Sequence, residues 1–281
     1  MQIVRSVSEL RNWSRSVRNQ PGASVGLVPT MGALHAGHAS LIRAARASCS
    51  HVVVTVFVNP TQFGPSEDLD RYPRPFAADC ATAEAEGADI LFAPSVEEMY
   101  PSGAQTFVEV ADLSEHLDGL SRPGHFRGVA TVVAKLFLAA EADYAYFGQK
   151  DAAQVAVLRR MAADLHFATE IVVCPIVRDP DGLALSSRNV YLSPDERAQA
   201  LTLNRALRQV ESLVAQDERR AEMLIASARA VFASAPAVRV DYIACVDWST
   251  LEPVEIAVPG TLFAVAAYVG NTRLIDNTLL G

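Results

Sequence analysis

Short apolar runs alternate with helical segments through the first two thirds of the chain, and this alternation constrains the fold more than any other feature. SVGLV (24–28) and HVVVTVFV (51–58) are nearly continuous apolar runs, which is typical of strands buried on both faces. Between them, HASLIRAARASCS (38–50) places its apolar residues at helical spacing. A strand, a helix and a strand in this order predict two parallel strands joined by a right-handed crossover.

The same alternation continues toward the C-terminus. We expect a helix between Pro75 and Gly87, a strand at 89–92, and a buried helix in GVATVVAKLFLAAEAD (128–143). YAYFG (144–148) predicts a strand, DAAQVAVLRRMAADLHF (151–167) a helix, and EIVVCP (170–175) another strand. MQIVRSVSELRNW (1–13) predicts a strand and an amphipathic helix rather than a signal peptide. The pattern indicates an α/β protein with a Rossmann-like, doubly wound parallel sheet.

The alternation of short apolar runs and helical segments ends near SSRNVYLSPDERAQA (186–200). A polar helical region extends to about residue 234, and two strand-like runs, VRVDYIACVD (238–247) and TLFAVAAYVG (261–270), precede a short segment, TRLIDN (272–277). The sequence therefore predicts a Rossmann-like nucleotide- and substrate-binding domain at 1–180 and a smaller α+β C-terminal domain at 181–281.

Composition excludes several classes of function. The net charge of -8 argues against a nucleic-acid coat, because phosphate backbones are bound by an excess of Lys and Arg. The 4 cysteines are scattered without a CxxC pair, which fits neither a zinc cage nor a compact disulfide framework. No apolar run approaches the ~20 residues that cross a bilayer. We therefore expect a cytoplasmic enzyme with reduced thiols and no membrane or nucleic-acid partner.

The strongest local motif is PTMGALHAGH (29–38), which lies between the first buried strand and the first crossover helix. A glycine-containing turn at this place exposes backbone N–H groups and the positive end of a helix, and both bind anions. His35 and His38 are three residues apart, so their rings can lie on the same side and donate to phosphate oxygens. Two alternatives are a pair of surface histidines at a helix cap and an HxxH metal site that lacks a third ligand motif.

Two further polar strings follow predicted strands. FVNPTQFG (57–64) contains Gln62, whose amide offers a donor and an acceptor to a hydroxylated carboxylic acid. FGQKD (147–151) contains Lys150, a mobile charge suited to phosphate, followed by Asp151 at a helix start. Without other motifs, Gln62 would be an ordinary loop residue and the Lys150–Asp151 pair a surface salt bridge.

LALSSRN (183–189) places two hydroxyls and a guanidinium in one short loop. Ser186 and Ser187 can donate to phosphate oxygens, and Arg188 can form a bidentate pair with them. The alternative is a simple turn between domains.

These strings resemble a known superfamily and, within it, one narrower family. HAGH is similar to the HxGH signature of the adenylyl-transferring superfamily, which includes nucleotidylyltransferases and class I aminoacyl-tRNA synthetases. PTMGALHAGH, FVNPTQFG, FGQKD and LALSSRN, in this order over roughly residues 24–192, resemble the pantothenate synthetase family. The resemblance implies an ATP-dependent ligase that condenses (R)-pantoate with β-alanine through a pantoyl-adenylate and releases AMP and pyrophosphate. It also implies a homodimer. We further expect the C-terminal domain to close over ATP as a lid that excludes water from the labile adenylate.

The motifs, taken together with this resemblance, give individual residues expected roles. His38 is the expected proton donor, and the other catalytic residues are expected to be His35, Lys150 and Arg188. Gln62 and Gln154 are expected to bind pantoate and β-alanine. Apart from the resemblance, the charge on the β- and γ-phosphates calls for a divalent cation held by phosphates, water and one carboxylate, and Asp79, on the helix after YPRP (72–75), is the expected Mg²⁺ ligand. The expected ATP contacts are Met31, Gly32, Ala33, Leu34, His35, Ala36, Gly37, His38, Gly148, Gln149, Lys150, Asp151, Val177, Leu185, Ser186, Ser187 and Arg188.

This chain departs from the family pattern at two ATP positions. Gln149 stands where the family often has Glu, a change that a backbone contact tolerates. Leu185 replaces the usual Met, which is a nearly volume-conserving exchange.

Four rival functions differ from a ligase in testable ways. A nucleotidylyltransferase would release the adenylate as its product, and FVNPTQFG and LALSSRN favour the ligase over it. An aminoacyl-tRNA synthetase would carry a basic tRNA-binding stretch, which this acidic chain lacks. A regulatory nucleotide-binding module would not need both histidines, Lys150 and Arg188. A metal-dependent hydrolase using His35 and His38 would hold a transition metal at one equivalent.

Overall fold

The computed structural model describes residues 1–65 and 67–281 and contains two sheets. The strands of the first sheet are β1 (Gln2–Val4), β2 (Val25–Val28), β3 (His51–Thr55), β4 (Ile90–Phe92), β5 (Tyr144–Gly148) and β6 (Glu170–Cys174). Those of the second are β7 (Val238–Val246), β8 (Leu262–Val269) and β9 (Thr272–Leu279). The α-helices are α1 (Val7–Arg18), α2 (Ala36–Ser48), α3 (Phe76–Ala85), α4 (Val96–Met99), α5 (Asp118–Ser121), α6 (His125–Ala140), α7 (Ala152–Asp164), α8 (Pro194–Ala215) and α9 (Ala221–Ala233).

The first sheet has six strands in the order β1-β4-β3-β2-β5-β6, and every neighbouring pair is parallel. The predicted Rossmann-like, doubly wound sheet is thus confirmed. All four residues of β2 are buried, as the continuous apolar run requires. The chain passes from β2 to β3 and β4 on one side and returns to β5 on the other. The switch point of the topology, where such sheets bind ligands, therefore lies between β2 and β5.

Local sequence explains where the first helices begin. Ser6 accepts a hydrogen bond from the Glu9 backbone N–H, and the Glu9 carboxylate accepts one from the Ser6 backbone N–H, which forms a capping box at the start of α1. Leu10, Ser14 and Val17 form its buried stripe. Helix α6 is buried along most of its length, as its nearly uniform apolar composition predicts.

Strand β3 is shorter than the apolar run predicts, because it ends at Thr55 rather than at residue 58. After Thr55 the chain leaves the ladder: the Val56 N–H donates to the Phe92 carbonyl and the Phe57 N–H to the Thr30 carbonyl. The 3-10 turn Pro60–Gln62 follows, and Pro60 cannot donate to a strand ladder. The apolar residues 56–58 therefore lie in the loop after β3 rather than in the strand.

The second sheet is antiparallel, in the order β7-β8-β9, and with helices α8 and α9 it forms the predicted α+β arrangement. Leu203, Leu207 and Val210 of α8 and Leu224 of α9 belong to one buried cluster with side chains of β8 and β9. TRLIDN is longer than a short terminal segment, since β9 continues to Leu279.

The chain divides into two compact units. The first contains residues 1–115, 122–148 and 157–175, and the second contains 116–121, 149–156 and 176–281. The long stretch of the second unit starts close to the predicted boundary, and the unit also includes two short segments that the sequence places in the first domain. The division at 180 and 181, with its lid role, stays a prediction. Among residues 1–65 and 67–281, no helix is both long enough and apolar enough to span a bilayer.

Candidate active site

In the first unit, the turn after β2 has an unusual backbone. Gly32 has a φ of 85° and Ala33 a φ of 51°, so a non-glycine residue occupies the left-handed region, which is costly unless its surroundings hold it there. The Gly32 N–H donates to Thr30 Oγ1 over 3.1 Å, and the Thr30 N–H donates to Thr55 Oγ1 over 3.1 Å. The end of β3 therefore supports the turn that leads into α2.

Asp79 of α3 provides the second support of this turn. Its side chain is 1% exposed, and its carboxylate accepts from the Ala33 N–H (3.0 Å) and the Leu34 N–H (2.7 Å). Burial raises the pKa of Asp79 above its usual value, and the two backbone donors oppose that shift. Both oxygens hold the left-handed turn in place.

His35 and His38 lie together at the N-terminus of α2. Their ring centroids are 4.1 Å apart with an interplanar angle of 34°, so the rings lie on the same side, as their spacing predicts. The Gly37 N–H donates to His35 Nδ1 (3.1 Å) and the His35 N–H donates to His38 Nδ1 (3.3 Å). Because each Nδ1 is an acceptor, each neutral ring carries its proton on Nε2. Two Nε2–H donors thus accompany the positive end of the helix.

Gln62 is buried, at 8% exposure, in the 3-10 turn after β3. Its side-chain Oε1 accepts from Asn59 Nδ2 over 2.9 Å, and the same Asn59 amide donates to the Gly128 carbonyl over 3.1 Å. Tyr100 Oη donates to Asn59 Oδ1 over 2.8 Å. With its oxygen held by Asn59, the Gln62 side chain is oriented to offer its NH₂ group as a donor.

The backbone of Gln62 is held by a second set of contacts. Its carbonyl accepts from Arg122 Nη2 (3.2 Å) and from His125 Nδ1 (2.8 Å). Arg122 also forms a bidentate pair with Glu67 at 2.7 and 2.6 Å, and its Nη1 donates to His125 Nε2 over 2.9 Å. Burial raises the pKa of Glu67, but the hydrogen bonds and charge of Arg122 outweigh it and leave that pKa below its usual value.

The second unit contains the turn Gln149–Asp151, which is a single 3-10 turn before α7. Lys150 Nζ lies 3.2 Å from Asp151 Oδ1. Lys150 and Ser186 line one small cavity with Asp276, so the structure brings together two predicted ATP residues that are 36 positions apart. Gln154, which follows on α7, is half-buried.

A narrow hairpin joins two other predicted ATP contacts. Arg178 and Ala184 form an antiparallel bridge, and the Leu185 N–H donates to the Val177 carbonyl over 3.0 Å. Arg178 forms a bidentate pair with Asp276 of β9 at 2.6 and 2.9 Å. Burial raises the pKa of Asp276, and the Arg178 guanidinium opposes that rise.

The serine loop begins where this hairpin ends. Ser186 caps the 3-10 helix Ser187–Tyr191, because its Oγ accepts from the Arg188 N–H over 3.3 Å. Asn189 Nδ2 donates to the Ala184 carbonyl over 3.0 Å and secures the loop. The hydroxyls and the guanidinium of LSSR thus start from a fixed backbone.

The structure therefore groups the predicted residues within each unit. The first unit contains residues 31–38, Gln62 and Asp79, with Gly148 at the end of β5; the second contains residues 149–151, Gln154, Val177 and residues 185–188. Their individual roles stay predictions. The magnesium role of Asp79 also stays a prediction, and two observations argue against a direct contact with a cation: both of its oxygens accept backbone N–H groups, and the residue is buried. In the described part of the chain, no three His, Cys, Asp or Glu side chains cluster as metal ligands would.

Several residues with clear structural roles at the site were missed. Asn59 lies inside FVNPTQFG and His125 is the first residue of α6, and the sequence alone assigns neither of them a role. Their signal was a polar residue beside a predicted strand end or helix start. Asn277 gave no such signal, because TRLIDN reads as an ordinary terminal segment.

Comparisons with known proteins agree along the whole chain. A family model described as pantoate-beta-alanine ligase matches residues 2–279. The pantothenate synthetase of Acidobacterium capsulatum is 64% identical, over 100% of this chain and 97% of that protein. That of Koribacter versatilis is 56% identical, over 100% of this chain and 96% of that protein.

Solved structures give the same result. The crystal structure of pantothenate synthetase from Thermus thermophilus has a TM-score of 0.93 and 47% identity, covering 99% of both chains. The crystal structure of pantoate-beta-alanine ligase from Francisella tularensis, complexed with beta-gamma ATP and beta-alanine, has a TM-score of 0.81 and 33% identity. That match covers 99% of this chain and 97% of the Francisella protein.

Proposed function

The chain belongs to the pantoate-β-alanine ligase family, and we propose that it makes pantothenate in two half-reactions without a covalent bond to the protein. It is an ATP-dependent ligase that condenses (R)-pantoate with β-alanine, with release of AMP and pyrophosphate. The observation that carries the proposed mechanism is the paired histidines at the start of α2, each with its Nδ1 held by a backbone N–H. That pair gives two fixed Nε2–H donors beside a helix N-terminus, which suits a nucleotide phosphate.

In the first half-reaction, a pantoate carboxylate oxygen attacks the α-phosphorus of ATP. The new P–O bond forms as the bond to pyrophosphate breaks, and negative charge develops on the phosphate oxygens. His35 and His38 would stabilise that charge as hydrogen-bond donors, with His38 as the proton donor. Lys150, Ser187 and Arg188 would bind the phosphates as donors and cations. Fixed donors of this kind lower a barrier because they need no reorganisation when the charge develops.

In the second half-reaction, the β-alanine amine attacks the activated acyl carbon. The C–N bond forms, AMP leaves with the oxygen that joined it to the acyl group, and the nitrogen loses a proton. Gln62 would hold the pantoyl group through its NH₂ donors, because its Oε1 already accepts from Asn59. Gln154 of α7 would be a second pantoyl contact. Positioning of the two reactants would be the main contribution of the protein to this step.

Mg²⁺ would enter with ATP, held by phosphate oxygens and water. A cation bound in this way needs at most one or two protein carboxylates, and the contacts of Asp79 with Ala33 and Leu34 make it a poor candidate for one of them. When bound, Mg²⁺ neutralises charge on the β- and γ-phosphates.

The cytoplasmic location rests on the composition and the N-terminal sequence, the homodimer on the family resemblance, and the C-terminal lid on the need to keep water from the adenylate. Light scattering of the purified protein tests the dimer, because a mass near 30.2 kDa would contradict it and about twice that mass would support it.

ATP–pyrophosphate exchange tests the proposed sequence of steps. Purified protein with magnesium and ATP should exchange pyrophosphate only when pantoate is present, before any β-alanine is added. β-Alanine should then release AMP and form pantothenate. Protein that binds ATP but shows no pantoate-dependent exchange would contradict the adenylate route, and a stable adenylate with no amine acceptor would favour a nucleotidylyltransferase.

A further inference from the structure

Asn277 is a buried polar residue in the interior of β9. It is 3% exposed and lies opposite Ala264 of β8 in the antiparallel register. A buried amide is costly unless its donors and acceptor are satisfied. The partners of this side chain therefore indicate why an amide, rather than an apolar group, occupies the position.

The side chain of Asn277 makes three hydrogen bonds, all with one turn. Its Nδ2 donates to the Gln149 carbonyl (3.0 Å) and to the Lys150 carbonyl (2.9 Å). Its Oδ1 accepts from Gln149 Nε2 over 3.2 Å. A single amide thus holds two consecutive carbonyls of the 3-10 turn Gln149–Asp151. The orientation of that turn sets the direction in which the Lys150 side chain leaves the backbone.

The preceding residue of β9 supports the other ATP segment of this unit. Asp276 pairs with Arg178 of the hairpin whose other strand contains Ala184 and Leu185. Adjacent residues of a strand point to opposite faces of the sheet. Asp276 and Asn277, adjacent residues of one strand, therefore hold two different segments.

We infer that Asn277 is a positioning residue for ATP use, which acts by fixing the Gln149–Asp151 turn and hence the ammonium group of Lys150. This inference rests on the ATP-binding role proposed above for Lys150. Asn277 itself is not required to touch substrate. Its loss should weaken the first half-reaction, which needs ATP, and leave the KM for β-alanine unchanged.

The test is a double-mutant cycle between Asn277 and Lys150, measured by pantoate-dependent ATP–pyrophosphate exchange. Asn277→Asp keeps the shape of the side chain but removes both N–H donors. It should lower kcat/KM for ATP by between about tenfold and a hundredfold, the range expected when a binding group is misplaced by about an ångström. In a Lys150→Ala background the same substitution should cause almost no further loss, because the two effects share one route.

Thr278→Val is the matched control. Thr278 is the next residue of β9, and its Oγ1 donates to Glu211 Oε1 of α8 over 2.7 Å rather than to the turn. We expect an unchanged kcat/KM for ATP in this variant. If Asn277→Asp does not fold, as judged by circular dichroism, Gln149→Ala replaces it, because it removes one of the three bonds without placing a charge in the interior.

The outcomes separate the two proposals. If the fold-losses in kcat/KM for ATP caused by Asn277→Asp and by Lys150→Ala multiply in the double variant, the positioning role is overturned. An unchanged kcat/KM for ATP in a folded Asn277→Asp variant would overturn it as well. Full exchange activity in Lys150→Ala alone would instead refute the ATP role of Lys150. A loss in Asn277→Asp that disappears in the Lys150→Ala background supports both.

Discussion

Gly128→Ala is the sharpest test of how the 3-10 turn Pro60–Gln62 is held against α6. Two effects of this substitution change the free energy of unfolding in opposite directions. Gly128 lies in α6, where an alanine is intrinsically better than a glycine by about 1 kcal/mol. An added Cβ, however, would lie 2.1 Å from the Thr61 carbonyl oxygen, 2.5 Å from its carbon and 2.9 Å from the Gln62 nitrogen. These are backbone atoms, so the clash cannot be relieved by a rotamer change, and the turn or the helix must move by roughly 1 Å.

Overpacking of this kind costs typically ~1–3 kcal/mol and occasionally more. After subtraction of the propensity gain, we expect the free energy of unfolding to fall by up to about 2 kcal/mol. The same displacement moves Gln62, so kcat/KM for pantoate should fall by about a hundredfold. Urea unfolding and steady-state kinetics measure the two quantities.

Gly64→Ala is the control for this substitution. Its added Cβ would meet its nearest neighbour, the Glu67 side chain, at 3.7 Å, which is an ordinary contact. We expect stability within about 0.5 kcal/mol of the wild type and unchanged pantoate kinetics. A Gly128→Ala protein that is more stable than the wild type and has a normal kcat/KM for pantoate would refute the close approach of α6 to this turn.

Three further expectations follow from the contacts. Asp79→Asn places a donor where a carboxylate oxygen accepts from a backbone N–H. It should lower the free energy of unfolding, measured in urea titrations, by about 1–3 kcal/mol and raise the KM for ATP. Unchanged values would show that the turn does not need the carboxylate. The pKa of Glu67 is lowered in the folded state, so its stabilisation is present above pH 4.5 and is lost as the pH falls through the folded-state pKa. Glu67→Gln should therefore be less stable than the wild type at neutral pH, with a difference in unfolding free energy that shrinks below pH 4.5 and would stay constant if the pair were unimportant. Arg188→Lys retains the charge but loses the guanidinium fork, so we expect the KM for ATP to rise by about tenfold, and an unchanged KM would exclude a bidentate phosphate contact.

Much of the first unit could be predicted because its signals are local. The continuous apolar run of β2 and the glycines and histidines of 29–38 predict a buried strand, a turn and a helix start, and the structure has them in that order. The spacing of His35 and His38 predicts that their rings lie on one side. The spacing does not predict the tautomer that the two rings share. That tautomer depends on backbone N–H groups that point at Nδ1 only after the turn has folded.

Asp79 shows why the location of a residue can be predicted when its contacts cannot. The sequence places it on the helix that follows Pro75, and a cation is its expected partner. In the structure its carboxylate accepts from two backbone amides, in a turn that lies 45 and 46 positions earlier in the chain. The sequence does not show where a carboxylate points. Only the packing of α3 against the turn decides whether Asp79 contacts a cation or an N–H group.

The polar residues of β9 extend this reasoning to the end of the chain. Asp276 and Asn277 interrupt an apolar pattern, and a sequence argument based on period-2 alternation therefore treats them as the end of a strand. In the structure both are buried and the strand continues past them to Leu279. A buried acid and a buried amide side by side would destabilise a strand whose only task was packing. Their partners, Arg178 and the Gln149–Asp151 turn, lie in the two segments to which we assign ATP. Interruption of a strand by polar residues is thus itself a functional signal, provided that the segments those residues hold can be identified.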